Sequence, residues 1–249
     1  MVELFQPVRT GKVSVLIMEQ IRNAIRRGEM KPGDRLPSER ELVERFEASR
    51  VSIREALKGL ETSGLLTIQV GRGVFVAQID SNVLSQSLSS VLSLAKGRTV
   101  DDLTEARLIF EPSVARLATE RITAEEVSAL EENIADVDAG IAAGLQVYEK
   151  NIEFHSLIAG ASHNLSIRLT MVSLLNVVRE RSVELVQENP LYTVNNFVRQ
   201  AGRLHKEIVK ALKKRNGQDV YDLIQKDILL VQKWLKRLNV KAEKDTRNW

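Results

Sequence analysis

Apolar residues recur at Val13, Ile17, Ile21, Ala24 and Ile25, the spacing of a helix that buries one face. Gly28 ends it, and Lys31-Pro32-Gly33-Asp34 makes a turn. Ser38 followed three residues later by Glu41 is a capping-box signature and predicts a short helix through Phe46. Ser49 then caps another helix whose inward side is Ile53, Ala56, Leu57 and Leu60, running to Gly64. Only Glu47 and Ala48 lie between the two, a connection short enough for a helix-turn-helix. The period then drops to two: residues 66–70 alternate as a strand, Gly71-Arg72-Gly73 turns the chain, and Val74-Phe75-Val76 pairs back as a hairpin. Three helices and a hairpin in this order predict a winged helix-turn-helix.

Past residue 80 the pattern changes. Helical periods fall at about 83–96, 100–121, 124–143, 148–162, 166–187, 194–215 and 218–238. Thr123 and Glu126 form another capping box, while Asn164 and Asn189-Pro190 mark breaks. The expectation is a mostly α chain: a winged-helix domain over residues 1–80, a short linker at 79–82, and an antiparallel all-helical bundle over 81–249.

Composition narrows the chemistry more than the fold. The 249 residues contain no cysteine, which excludes disulfides, thiolate catalysis and cysteine-ligated zinc or iron–sulfur sites. Histidine occurs only at His155, His163 and His205. No apolar run approaches the roughly 18–20 residues that span a bilayer, and no export signal opens the chain, so a cytoplasmic location is expected. Net charge is +2 over residues 1–80, −5 over 81–205 and +6 over 206–249, too mild to name a nucleic-acid partner by itself. The basic end reads as a solvated helix face and His163 as a surface loop residue. No serine nucleophile elbow, glycine-rich phosphate loop or HExxH pattern is present, so an enzyme is not expected.

Two constellations remain. Arg50 and Arg54 stand one turn apart near the start of their helix, where a recognition helix meets base edges in the major groove. Arginine can bond guanine O6 and N7 together, hydroxyls such as Ser49 and Ser52 at a helix start can hold phosphate, and Arg72 at the hairpin tip suits a minor-groove or phosphate contact. In the bundle, Asn151 and His155 share one helix face, and His205 and Asp227 lie 22 residues apart on consecutive helices. Two imidazoles, a carboxylate and an amide oxygen could hold zinc, nickel or manganese, with open positions for a carboxylate from solution. The same residues also fit ordinary hydrogen-bonded helix positions.

Leu36-Pro37-Ser38-Glu39-Arg40-Glu41-Leu42, Ser49 through Leu57, Gly64-Leu65 and Gly71 through Val76 resemble the GntR family of bacterial transcription regulators. The resemblance implies DNA contacts from Arg40, Arg50 and Arg54, with Ser49, Ser52 and Gly71 approaching the duplex. Val51 sits where some members carry a hydroxyl. Glu105 through Glu111, Asn151 through His155 with Ala161 through Asn164, and His205 through Leu212 resemble the FCD effector domain of the FadR-like branch. That resemblance implies a metal held by Asn151, His155, His205 and Asp227, and an effector carboxylate held by Arg107. Asn151 replaces a charged ligand of many members, and Asp227 stands where the last histidine usually sits. Arg107 can also be read as an exposed helix arginine paired to Glu111. The expected function is a homodimeric regulator, more often a repressor, on a pseudo-palindromic operator controlled by a small carboxylate. The alternatives are a DNA-binding dimer without an effector and a metal-dependent hydrolase.

Overall fold

Serine and threonine caps set where the first helices begin. The computed structural model describes residues 13–78, 81–94, 99–187 and 191–245, and the chain divides into two units, Met1–Val83 and Leu84–Trp249. In the first unit, α1 (Val13–Arg26), α2 (Glu39–Phe46) and α3 (Arg50–Thr62) precede β1 (Leu66–Gln69) and β2 (Gly73–Val76). Ser38 caps α2 reciprocally: its Oγ accepts from the Glu41 amide at 3.3 Å, and its own amide donates to Glu41 Oε2 at 2.8 Å. Glu47 ends α2 in the left-handed region with φ of 49°, and Ser49 caps α3 by accepting from the Ser52 amide at 3.1 Å. The helix-turn-helix is thus built from two complementary terminators.

The hairpin pairs Leu66 with Val76 and Gln69 with Gly73 in antiparallel register. Its turn needs φ of 74° at Gly71 and 118° at Gly73, which glycine reaches without a Cβ penalty. Ile17, Ile21, Leu42, Ile53, Leu57, Leu60, Leu66 and Val76 close one core over these elements. The start of α1 departs from expectation: Ser14 is buried, whereas Val13 is half exposed. Ser14, Ile17 and Ile21 fall at three- and four-residue steps, so the inward stripe begins one residue later than the apolar pattern indicates.

The second unit holds α4 (Asn82–Leu94), α5 (Thr99–Arg121), α6 (Ala124–Ala142), α7 (Tyr148–Gly160), α8 (Leu165–Gln187), α9 (Leu191–Lys213) and α10 (Gly217–Asp245), with no strand among the described residues. The expected linker falls partly on residues 79–80, outside the described ones, and α4 already begins at Asn82. α10 runs past the expected end near residue 238, so most of the basic terminus is helical. No helix of the described residues is long and apolar enough to cross a membrane.

Helix α10 packs on α5 and α9, α7 on α8, and α6 on α9. Ala118, Ile122, Leu130, Phe154, Ile158, Ile208, Leu212 and Ile224 fill the main core. A second cluster stacks Phe197 on Trp234, with ring centroids 4.1 Å apart, beside Tyr148. α5 continues through Pro112, whose missing amide leaves the Leu108 carbonyl without its helical donor. The same helix carries Arg107 and Glu111 just before that proline.

Ile53 is fully buried between α3 and its neighbours. Ile53→Ala should lower the stability of the first unit by roughly 2–5 kcal/mol. Urea titration followed by circular dichroism checks this, and a loss well below that range would show that the site collapses around the cavity.

Candidate DNA-reading face and buried polar cluster

Because α3 buries Ile53, Ala56, Leu57 and Leu60, its opposite side leaves Arg50, Val51, Arg54 and Glu55 exposed. Arg54 Nε donates to Glu39 Oε2 at 2.8 Å, an ion pair whose arginine side chain is still 69% exposed. A guanidinium has five N–H donors, so one bond through Nε orients Arg54 and leaves its terminal nitrogens for a partner. Glu39, the first residue of α2, is the member of this face that sequence reasoning missed. Only its place in the Ser38-Glu39-Arg40 segment could have signalled it.

Arg40 is exposed on α2, 3.7 Å from Glu44. Ser49 and Ser52 lie with their hydroxyls 3.0 Å apart, and Ser49 Oγ is also committed to the cap. A phosphate would therefore meet Ser52 and the free amides of the first turn more readily than Ser49. Gly71 and Arg72 stand exposed at the hairpin tip, where the Arg72 amide donates to the Gln69 carbonyl at 3.0 Å. The Arg54–Glu39 pair links the exposed side of α3 to the start of α2, while Gly71 and Arg72 lie on the hairpin turn.

The second unit gathers a different set of side chains. α7 carries Asn151 and His155 one turn apart, α9 carries His205, α10 carries Asp227, and α5 carries Arg107 and Glu111; all six are buried. His155 Nε2 lies 3.0 Å from Asp227 Oδ2, and His205 Nε2 lies 3.6 Å from Asp227 Oδ1. On the far side of the ring, His155 Nδ1 sits 3.1 Å from Glu111 Oε2, an ionic contact off the line of a hydrogen bond. Arg107 donates to Glu111 through Nε, and through Nη2 at 3.3 Å. Phe154 stacks on the His205 ring at 3.8 Å and fixes its plane.

Arg107 is thus not the exposed helix arginine of the simpler expectation but a core ion pair. Glu111 was not among the expected site residues, because an Arg–Glu spacing of four reads the same on a surface as in a core. The space beside Arg107, walled by Leu103, Thr104, Val178, Ser182, Val231 and Leu235, measures about 10 Å³. That is scarcely one water, so a carboxylate reaching Arg107 requires local opening. His163 lies in the turn after α7 with φ of 48° and pairs with Glu126 at 3.0 Å on the surface, away from this cluster.

Electrostatics follow from burial and pairing. Burial alone would raise Glu111, yet the charges of Arg107 and His155 hold it down at about 2. Burial would lower His155, but the Glu111 charge and the hydrogen bond to Asp227 raise it to about 9. His205 is depressed to about 4, since its burial outweighs the attraction of Asp227. The charges of these side chains accordingly cancel: Arg107 and protonated His155 balance Glu111 and Asp227.

Asn151 Oδ1 and Nδ2, His205 Nε2 and Asp227 Oδ1 are buried without a hydrogen-bond partner. Unpaired buried polar atoms are costly, so several of them on one cluster suit a bound group that completes them. One ligand atom from each of His155, His205 and Asp227 lies within 4.8 Å of the others, a spacing that fits a cation. Two imidazoles and a carboxylate suit a divalent transition metal, with Asn151, one turn before His155, as a further candidate donor.

An exposed arginine face on a winged helix, together with a separate helical unit holding a buried, incompletely satisfied polar cluster, defines a ligand-responsive DNA-binding transcriptional regulator. Residues 14–76 match "Bacterial regulatory proteins, gntR family" and residues 102–229 match the FCD domain; the chain belongs to the GntR family and carries an FCD effector-binding domain. It is 32% identical over 196 residues to the HTH-type transcriptional regulator LutR of Bacillus subtilis, covering 78% of this chain and 87% of LutR. It is 29% identical over 222 residues to the HTH-type transcriptional repressor NanR of Klebsiella aerogenes, covering 88% and 84%. The solved structure of Streptococcus agalactiae GntR superposes with a TM-score of 0.69 at 26% identity, over 88% of this chain and 99% of that one.

The two histidines set opposite limits on stability in chelator. A proton held by His155 up to about 9, above the ordinary value of 6.5, stabilises the fold fully below pH 6.5 and is lost as pH rises through 9. His205, at about 4, resists protonation, so stability falls as pH drops from 6.5 through 4. Urea midpoints of the metal-free protein should peak near pH 6.5, and His155→Gln should flatten the alkaline limb. An unchanged alkaline limb in that variant would refute the assignment.

Proposed function

We propose that the protein is a homodimeric repressor whose operator affinity is set by a small carboxylate bound at a metal-containing site in the helical domain. Residues 1–80 act as the DNA-binding module and residues 81–249 as the effector-binding and dimerisation module. The observation that carries the sensing half is the set of unsatisfied buried atoms on His205 and Asp227, grouped with His155, and on Asn151 one turn before His155. The NanR relative's designation as a repressor supports the direction of control.

On this reading Arg50 and Arg54 contact base edges, Arg40, Ser49 and Ser52 the adjacent backbone, and Gly71 and Arg72 the groove beneath the wing. A two-fold dimer presents two recognition helices, which calls for a pseudo-palindromic operator. Asn151, His155, His205 and Asp227 would hold zinc, nickel or manganese, which when bound supplies open positions for an anionic ligand. With a divalent cation in place of the His155 proton, one positive charge in the cluster is left over, and a carboxylate neutralises it. Arg107 is the natural second anchor, released from Glu111 as the carboxylate enters. The ligand shifts operator binding only through unequal affinity for two arrangements of the dimer. The protein acts by binding rather than catalysis, in the bacterial cytoplasm at the nucleoid.

One observation favours a second reading. Glu111 already occupies Arg107 and the adjoining space is about 10 Å³, as suits a domain that only dimerises. A thermal-shift screen of small carboxylates, with and without added metal, separates the two: stabilisation by a carboxylate that depends on metal supports the sensor, and none supports the constitutive dimer.

Two further results are expected. Arg50→Ala should reduce specific operator binding roughly thirtyfold or more in a gel-shift assay, since each lost arginine–guanine contact costs about 1–3 kcal/mol and a dimer loses two. The fold, read by circular dichroism, should be unchanged; undiminished affinity would defeat the assignment. Protein purified without chelators should carry about one divalent metal per chain, lost in His155→Ala with His205→Ala. Elemental analysis finding none would refute the metal site.

A further inference from the structure

Val51 is 68% exposed, and among the described residues of α3 it is the one large apolar side chain left in the open. At 3.6 residues per turn, the buried Ile53, Ala56, Leu57 and Leu60 define one side of the helix, and Val51 points within roughly 10–20° of the opposite direction. Arg50 and Arg54 lie to one side of that line and Glu55 to the other, all exposed. Val51 is also in the first turn, at the end of a recognition helix that comes nearest the bases. Its branched side chain has one strongly preferred χ1 in a helix, so the two methyls are presented in a fixed direction.

In the major groove the bases present hydrogen-bonding atoms and one apolar group, the C5-methyl of thymine. We propose that Val51 reads that methyl group, in each half of the operator, as an apolar specificity contact beside the arginine contacts of Arg50 and Arg54. The assignment rests on the reading of α3 as the DNA-contacting helix. A long polar side chain at position 51 would accept several base pairs by adjusting its rotamer. A short β-branched one gains only where a methyl fills the gap, and it leaves a donor or acceptor unpaired wherever another base edge faces it.

The test uses the full-length dimer and an operator enriched from a pool of randomised duplexes. Each thymine is replaced singly, in both half-sites, by deoxyuridine, which deletes the methyl and keeps the pairing. At one position per half-site the replacement should weaken wild-type binding about fifteenfold, since each of the two lost methyl contacts is worth about fourfold. The same replacement should leave the affinity of Val51→Ala unchanged, and Val51→Ile should retain the discrimination.

Equal binding of thymine and deoxyuridine operators at every position overturns the proposal, as does an equal loss in wild type and Val51→Ala. Where Arg50→Ala still abolishes binding, the DNA-reading face stands and only the role of Val51 falls. A pool from which no sequence is enriched overturns both. Because 5-methylcytosine carries the same group, a duplex with 5-methylcytosine at the sensitive position forms a third arm; tighter binding there than to thymine overturns the assignment to thymine.

Discussion

Four charged groups meet inside the helical domain with almost no access to water, and the domain can tolerate them only because their charges cancel. Arg107 is spent on Glu111, and His155 sits between Glu111 and Asp227. Removing any one partner would strand a charge in a medium of low polarity, which costs several times what an exposed pair contributes. The network therefore ties α5, α7 and α10 into one register, with α9 joined through His205 against Asp227 and Phe154. The helices that carry the charges are the helices that carry the main core, so the polar cluster and the apolar packing stabilise the same arrangement.

That balance also explains why the cluster can respond to a ligand. Its donors are only partly satisfied: of three carboxylate–imidazole contacts only that of His155 with Asp227 is a hydrogen bond, while Asn151, one Asp227 oxygen and one His205 nitrogen have no hydrogen-bond partner. On the proposed reading, a divalent cation held there would complete those atoms in place of the His155 proton, and an anion would balance the added charge.

The DNA-binding unit applies the opposite logic to the same side chain. Arg54 is held by Glu39 through a single nitrogen and stays largely exposed, so it is aimed without being consumed. The rigid frame beneath it comes from the Ser38 and Ser49 caps, which fix the turn between α2 and α3 by local hydrogen bonds alone. Affinity for a charged duplex then resides in groups that water screens until the duplex arrives.

Much of this was legible in the chain because it depends on neighbours in sequence. Both capping boxes, the two-residue step between the helices, the glycine turn of the hairpin and the seven helical periods are short-range patterns, and the observed elements follow them closely. So is the shared face of Asn151 and His155. What the linear pattern could not show is which polar residues face inward together. Ser14 rather than Val13 lies beneath α1, Arg107 and Glu111 are core rather than surface, and Glu39 reaches across to Arg54. Each of these is decided by what packs on the far side of the helix, tens of residues away. A local pattern specifies the direction a side chain leaves its helix, but only the assembled tertiary structure determines whether water or another helix is waiting there.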